Sequence, residues 1–412
     1  MLSIVPRSRP SASDLVNILR ERGPILFSLP EFPPGCSLTT RVDPQKLVTG
    51  WQLGGKQFLW EEDAQTVLEV TSRGVLGRGQ TAEVEEVRVP GSNVTLARKR
   101  VAISRAKTLG GLEKKRIRAE IEIIRSLDHQ HIVKVIGCYQ KPRGRYIADL
   151  CVLLHPAADS DLQVFLGERC KNASHTERGW LGRWFTCLSS ALAYLHYHGI
   201  HHEDIKPGNI VHRGRDIYFT DFSSSRRVIS WDETSTESPA VATRLYAAPE
   251  AMSSGSQMLR HGSQSDVYSL GLVFVEMLTV LMLHQIGGLR AFLFSKPGDK
   301  HQYHHVTHKM GMWFEESHAV KPLSVFVLSN MLAANRRERV SAQTVADYFV
   351  HSETLFNMGS CGCHWLRWER PKGITGPRDC TNTNPELCGC TNAEPEPRDG
   401  TNIEADDDFV IV

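Results

Sequence analysis

The sequence contains no continuous apolar stretch of the roughly 20 residues that a membrane-spanning helix needs. Its most apolar run, Leu270 to Leu283, is shorter and is interrupted by Glu276. Met1 to Leu15 lack the apolar core of a secretory leader. An excess of one charge is also missing: 48 Lys and Arg stand against 46 Asp and Glu, a formal net charge of +2. Nucleic-acid and membrane binders need a concentrated basic face, so neither partner is expected. No internal repeat is evident. These absences leave an intracellular, soluble protein of the cytoplasm or nucleus as the expectation. Hydrophobic residues make up 41 % and charged residues 23 %, enough for a core of normal size.

The chain divides into three by texture. Residues 1–65 carry Pro6, Pro10, Pro24, Pro30, Pro33, Pro34 and Pro44, a density that breaks up long regular elements. They read as a partly ordered N-terminal extension, with a short helix over Ser13 to Glu21. Residues 66–352 read as one domain. Strand-like runs come first: Thr66 to Thr71, Val84 to Val89, Val94 to Ala102 after the turn Pro90-Gly91-Ser92-Asn93, Ile132 to Tyr139 and Tyr146 to Leu154. Among them, Leu112 to Leu127 shows helical spacing of Ile117, Ile121, Ile124 and Leu127. Helical patterns then dominate, over Leu181 to His198, Ser265 to Leu283 and Ser341 to Phe349. The pattern is a small β-rich lobe followed by a larger helical lobe. Residues 353–412 are rich in Gly, Pro, Asn and Thr and end in the acidic run Glu404 to Asp408 and Phe409 to Val412, which favours a loose tail.

Cys36, Cys138, Cys151, Cys170 and Cys187 are scattered and read as reduced, mostly buried thiols. Cys361, Cys363, Cys380, Cys388 and Cys390 cluster near the end. With His364 they are one candidate zinc set, but Cys-x-Cys is tighter than the usual ligand gap. Free thiols or adventitious disulfides in the tail are the expectation. His301, His304, His305 and His308, near His318, read as a surface insertion for docking rather than a metal site, since no cysteine joins them.

The polar constellations lie between the apolar runs. Gly77-Arg78-Gly79-Gln80-Thr81-Ala82-Glu83-Val84 sits between two strand-like runs, where glycines let the backbone fold over phosphates. An ordinary hairpin turn would look similar. Lys99, in Leu96-Ala97-Arg98-Lys99, can reach phosphate oxygens along the inner face of a strand, although an isolated Lys is more often solvated. Glu120, on the helical segment, can pair with it; Glu113 and Glu122 read as surface residues. The most specific signal is His202-Glu203-Asp204-Ile205-Lys206-Pro207-Gly208-Asn209, followed by Asp221-Phe222 just past a strand-like run. Asp204 can accept or orient a hydroxyl proton, Lys206 can neutralise a phosphoryl group, and Asn209 and Asp221 can bind a metal ion.

In this order, and with Ala248-Pro249-Glu250 downstream, these residues resemble the protein kinase family over roughly residues 70–352. Asp266-Val267-Tyr268-Ser269-Leu270-Gly271 is similar to the start of the family's buried central helix. Arg339 is similar to the late arginine that pairs with the Glu of Ala-Pro-Glu, here Glu250. The resemblance implies an α+β, two-lobed kinase fold with a small antiparallel lobe (about 66–153), a hinge (about 154–158) and a large helical lobe (about 159–352). It implies ATP as phosphoryl donor, Mg²⁺ (or Mn²⁺ in its place) and a protein substrate. By the same resemblance Gly77, Arg78, Gly79, Gln80, Thr81, Ala82 and Val84 cover the phosphates, Ala97 lines the pocket, and Lys99 holds the α- and β-phosphates. Leu154 would be the gatekeeper, and His155, Pro156 and Ala157 would meet adenine through the backbone. The segment from Leu154 to Leu162 looks like that of fungal Ser/Thr kinases. Lys206, two residues after Asp204, is the Ser/Thr-kinase pattern.

Three positions depart from that pattern. Ala82 replaces a glycine, which implies weaker nucleotide handling at most. Ser223 replaces the glycine after Asp221-Phe222, and Ser reaches fewer backbone angles, so a flip of this segment is expected to be restricted. Glu203 replaces the arginine that binds a phosphorylated activation loop; a carboxylate would repel phosphate, so activity is expected not to depend on that modification. Thr243 is expected to have a structural or substrate-contacting role. The alternative to an active Ser/Thr kinase is a pseudokinase scaffold that keeps the nucleotide pocket.

Overall fold

The structure, a computed structural model, describes residues 68–363 except 80–81, 89–93, 105–106, 143–146, 170–174, 228–244, 253–261, 296–301, 316–319, 357–360 and 362. The helix expected over Ser13 to Glu21, the turn Pro90 to Asn93, and Gln80, Thr81, Thr243, His301, His318, Cys36, Cys170, His364, Cys380, Cys388, Cys390 and the acidic end lie outside the described residues.

The chain opens with β1 (Glu69–Arg78), β2 (Ala82–Arg88) and β3 (Thr95–Ser104). Helix α1 (Lys107–Arg125) follows, then β4 (Lys134–Pro142) and β5 (Ile147–His155). The five strands form an antiparallel sheet in the order β1-β2-β3-β5-β4. Alternation along β3 sorts its side chains to two faces. Ala97, Val101 and Ile103 join Ile117 and Ile121 of α1 and Val152 and Leu154 of β5 in one cluster. Leu96 packs on the opposite face with Val87, Tyr139, Cys151 and Leu153. The expected helix is longer at its N-terminal end than its apolar spacing indicated, because the added residues, Lys107 to Gly111, include two glycines and two polar residues and so carry no apolar period.

The chain then passes β6 (Ser160–Asp161) and the short helix α2 (Leu162–Val164), which runs into a π-helical turn, Phe165–Arg169. Helix α3 (His175–Tyr197) leads to β7 (Ile200–His201), β8 (Ile210–Arg213), β9 (Asp216–Phe219) and β10 (Arg226–Arg227). The remainder is helical: α4 (Ser263–Leu281), α5 (Ile286–Leu293), α6 (Thr307–Trp313), α7 (Lys321–Phe326) and α8 (Ala342–Phe356). Ile124 and Leu127, at the end of α1, belong to the same buried cluster as α3, β9, α4 and α8, so the helix bridges the two lobes.

Among the described residues α4 is the one helix long and apolar enough to cross a membrane, and 83 % of its apolar window is buried inside the protein. Of its two charged residues, Glu276 lies within the apolar stretch and is matched by partners from the protein interior. Glu276 is 2 % exposed and accepts hydrogen bonds from Tyr246 Oη (3.0 Å), Tyr303 Oη (2.6 Å) and Arg290 Nη2 (2.9 Å). A buried carboxylate is tolerable only with such partners. At Gly271 the helix is approached so closely that a Cβ would lie 2.8 Å from Leu332 Cδ2 and 3.0 Å from Met331 Cβ.

The sequence places the start of the tail at 353. Helix α8 instead runs to Phe356, and Cys363 is fully buried in the large-lobe core, with Cys361 packed beside it. Single cysteines are good core residues, and composition alone masks this because the surrounding segment is polar.

Arg339 forms a two-pronged pair with Glu250, Nη1 to Oε1 at 2.6 Å and Nη2 to Oε2 at 2.8 Å. Its Nε donates to the Ala333 carbonyl at 2.8 Å, and the guanidinium lies 4.7 Å from the centre of the Tyr268 ring. The Arg339 side chain has no exposure. Removing one partner leaves an uncompensated buried charge, which costs about 3–5 kcal/mol. Arg339→Met is expected to lower the urea-unfolding free energy by about that much; a loss below about 1 kcal/mol would show that the pair behaves like an exposed one.

Candidate active site

Lys99 lies mid-strand in β3, paired across to Val84 in β2 and Val152 in β5. Its Nζ donates to Glu120 Oε1 of α1 at 2.7 Å and to Asp221 Oδ1 at 2.9 Å. One ammonium thus joins the sheet, the helix and the larger lobe. Burial alone would lower the Lys99 pKa, but the Glu120 and Asp221 carboxylates reverse this and raise it. Burial pushes Glu120 upward, with Lys99 pulling against it. For Asp221 burial is outweighed by the charge and hydrogen bond of Lys99 and by a hydrogen bond from Ser223, and the carboxyl is held below its ordinary range.

The catalytic-loop candidates converge below. Asn209, 5 % exposed, donates through Nδ2 to the Asp204 carbonyl and to Asp204 Oδ2, both at 2.8 Å. Lys206 Nζ donates to the same Oδ2 at 2.7 Å. With Nδ2 committed to Asp204, the Asn209 side-chain oxygen is the acceptor end that remains for a cation. The Asn209 carbonyl accepts from Thr220 N–H at 3.0 Å, which fixes the loop against the segment that carries Asp221. Phe222 is fully buried, its ring 4.9 Å from that of His202.

Above this site, β1 and β2 form a hairpin in which Gly77 faces Val84 and Arg78 faces Glu83. Gly79 N–H donates to the Ala82 carbonyl at 2.8 Å, closing its base. The Arg78 side chain turns outward to Glu83 at 2.8 Å, so only its backbone belongs to the loop. Leu154, opposite Ala97, is buried at the far wall. Strand β5 continues through His155, which pairs with Lys134, and stops where Pro156 has no N–H to offer the ladder.

A second buried charge holds the loop from behind. Asp266, at the start of α4, accepts from the N–H groups of His202 (2.8 Å) and Glu203 (2.9 Å) and contacts His196 Nε2 at 3.0 Å. Burial would raise Asp266, but His196 and its neighbours hold it low. Glu203 itself is left-handed, with φ 61°. Its side chain is 4 % exposed and lies 3.5 Å from Arg226 Nε. Neither Arg226 nor His196 stands out in the sequence; their partners come from 23 and 70 positions away.

The sequence pattern of the protein kinase domain matches residues 70–349. The chain belongs to the protein kinase family. It is 29 % identical over 206 residues to the dual specificity mitogen-activated protein kinase kinase dSOR1 of Drosophila melanogaster, covering 50 % of this chain and 47 % of that one. It is 29 % identical over 227 residues to the MAP kinase kinase skh1/pek1 of Schizosaccharomyces pombe, covering 53 % and 58 %. Mitogen-activated protein kinase 5 of Arabidopsis thaliana is 28 % identical over 170 residues, covering 41 % and 42 %. The chain therefore spans about half the length of these relatives.

Within this kinase fold two of the three departures, Ser223 and Glu203, have local explanations. Ser223 lies in a right-handed 3₁₀ turn, Phe222–Ser224, and the left-handed residue is Asp221 (φ 60°). The observed conformation therefore does not call on glycine at 223, and the hydroxyl gains a hydrogen bond to Asp221. Glu203 is pushed up to about 7 by burial first and by the Asp266 charge second, with Arg226 only partly opposing them. Its value in the unfolded chain is near 4.5. The folded state thus keeps a proton that the unfolded chain releases, so stability is fully present below about pH 4.5 and declines as pH rises through 7. Glu203→Gln is expected to flatten the thermal midpoint between pH 5 and 8 and to raise it by a few degrees at pH 8. An unchanged pH profile in the variant would mean that Glu203 titrates as an exposed glutamate.

Proposed function

We propose that this protein transfers the γ-phosphoryl group of ATP to Ser or Thr hydroxyls of a protein substrate. The observation that carries the reading is the joint placement of two sets: Lys99 between Glu120 and Asp221, and Asp204 between Lys206 and Asn209. Together they hold two ammonium groups and three carboxylates. That excess of negative charge, with hard oxygen donors from Asn209 and Asp221, suits Mg²⁺ better than a softer metal. When bound there, the ion would neutralise phosphate oxygens.

The protein's own groups account for the rest. Lys99, held extended by Glu120, reaches toward the α- and β-phosphates, and the Gly77–Ala82 hairpin covers them. The substrate hydroxyl oxygen forms its bond to the γ-phosphorus as the bond to the β,γ-bridging oxygen breaks. The hydroxyl proton passes to Asp204 and ADP departs. Lys206 stabilises charge on the transferring group. Its position two residues after Asp204 supports Ser and Thr over Tyr.

Activity is independent of activation-loop phosphorylation in this reading. Glu203 occupies the place from which a cation would attract a phosphate, and it already pairs with Arg226. Glu203, held above the ordinary glutamate range by burial, offers a phosphate no positive charge, and the cation beside it, Arg226, is already engaged.

Two experiments test the proposal. With labelled ATP, Mg²⁺ and a generic basic protein, incorporation is expected on Ser and Thr. It should fall by at least about 10²-fold in Asp204→Ala and in Lys99→Met. Nucleotide binding without incorporation above these variants, across a panel of substrates, would favour a scaffold that retains the pocket; label on Tyr would remove the Ser/Thr assignment. Separately, replacing Ser230, Thr234, Ser235, Thr236 and Ser238 together by Ala is expected to leave the rate within about twofold. Loss of activity in that variant would overturn phosphorylation independence without touching the phosphotransfer reading.

A further inference from the structure

Four potential metal ligands from distant parts of the chain meet beneath β9. His131 comes from the connection between α1 and β4, Cys187 from α3, and Cys361 and Cys363 from the segment after α8. Their ligand atoms all lie within 4.8 Å of one another. His131, Cys187 and Cys363 are fully buried, Cys361 is partly so, and the three cysteines are free thiols. Among the described residues this is the one cluster of three or more His, Cys, Asp and Glu side chains so close together. Among the described residues no such group forms around His304, His305 and His308.

We propose that His131, Cys187, Cys361 and Cys363 form a structural zinc site that fastens the C-terminal segment to the large lobe. A tetrahedral ion with Zn–S of about 2.3 Å and Zn–N of about 2.0 Å has ligand–ligand edges of roughly 3.4–3.8 Å. The separations, none above 4.8 Å, bracket that size: the widest would close by at most about an ångström, and the 3.1 Å contact of His131 Nε2 with Cys361 Sγ would open by a few tenths. Cys₃His fills all four positions with protein, as a structural zinc requires. Three thiolates select a soft or borderline ion, so this site does not compete for Mg²⁺.

The surroundings are those of a metal ligand set. His131 Nδ1 lies 2.7 Å from the Ile217 carbonyl, which can only accept. The Nδ1 proton is therefore committed, and Nε2 can turn a lone pair toward Cys361 Sγ, 3.1 Å away. Cys361 Sγ in turn accepts from Arg183 Nη2 at 3.0 Å and Gln130 Nε2 at 3.2 Å, the pattern of a thiolate. Two electron-rich atoms facing each other at that distance need a proton or a metal ion between them, and a zinc ion would serve all four ligands at once. Three thiolates and Zn²⁺ sum to −1, and Arg183 supplies the opposing positive charge.

The site differs from the one suggested by the tail cysteines alone. Its histidine is not His364 but His131, 230 positions upstream of Cys361. His131 also accepts, through its carbonyl, the Phe219 N–H at 2.9 Å, and Val133 N–H donates to the Phe219 carbonyl at 3.1 Å. The ion would thus brace the strand end two residues before Asp221.

The full chain, purified under reducing conditions without chelator, is expected to carry one equivalent of zinc by elemental analysis. Cys187→Ser and Cys361→Ser/Cys363→Ser should lose it, whereas Cys380→Ser/Cys388→Ser/Cys390→Ser should keep it. Chelation should lower the thermal midpoint by several degrees and zinc should restore it. Because the core variants can misfold, the wild type is also alkylated with and without chelator and mapped by mass spectrometry. Protection of Cys187, Cys361 and Cys363 that chelation removes supports the site. A reduced wild type that holds no zinc and gains no stability from added zinc would overturn it. Iron with sulfide, a disulfide among these cysteines, or zinc lost only with Cys380, Cys388 and Cys390 would do so equally.

Discussion

The ammonium of Lys99 is the point on which the two lobes agree. It is held from one side by Glu120 on α1 and from the other by Asp221 at the edge of the larger lobe. A buried charge cannot be left with half its partners, so the sheet, the helix and the Asp221 segment must come into register together. The apolar contacts follow the same path. The first part of α1 packs on the sheet through Ile117 and Ile121, and the last part enters the large-lobe core through Ile124 and Leu127. Hydrophobic burial brings the helix in, and the ion pair sets its rotation and height.

Below that point the larger lobe repeats the device with other residues. Asp266 holds the backbone of His202 and Glu203, Glu276 gathers two tyrosines and an arginine, and Glu250 takes the Arg339 fork. Asp266 and Glu276 each tie α4 to segments without regular structure, and Glu250 joins two short connecting segments through Arg339. Loops cannot be fixed by periodic apolar contacts, because their side chains follow no repeating direction. Directional bonds to a buried anion do it instead.

The sequence made much of this legible. Apolar alternation marked the strands, and 3.6-residue spacing marked the helices, because both reflect local geometry. Lys99, Glu120, Asp204, Lys206, Asn209 and Asp221 were readable from their order and spacing. The partners of Glu203 and Asp266 were not, since Arg226 and His196 look like any charged residue on a strand or helix. The Cys and His cluster was hidden for a related reason: Cys187 has no ligand-like neighbour in sequence, the neighbour of His131 is His129, which is not part of the cluster, and the Cys361-Cys363 segment is embedded in polar, loop-forming composition. Contacts that span 230 positions leave no local pattern to read. The extent of β5 through His155, and of α8 to Phe356, depended on where a ladder or helix finally lost its partners.

The seating of Cys361 and Cys363 has a consequence for how the chain is made. His131 and Cys187 lie in the middle of the domain, yet the groups that close over them come after its last helix. During synthesis, the side of the large lobe beneath β9 stays uncovered until residue 363 has left the ribosome. Vectorial folding can assemble the sheet and most helices earlier. Completion of the larger lobe is then set by emergence of the tail, and a chain terminated at the end of α8 would carry every residue of the candidate active site over an unsealed core.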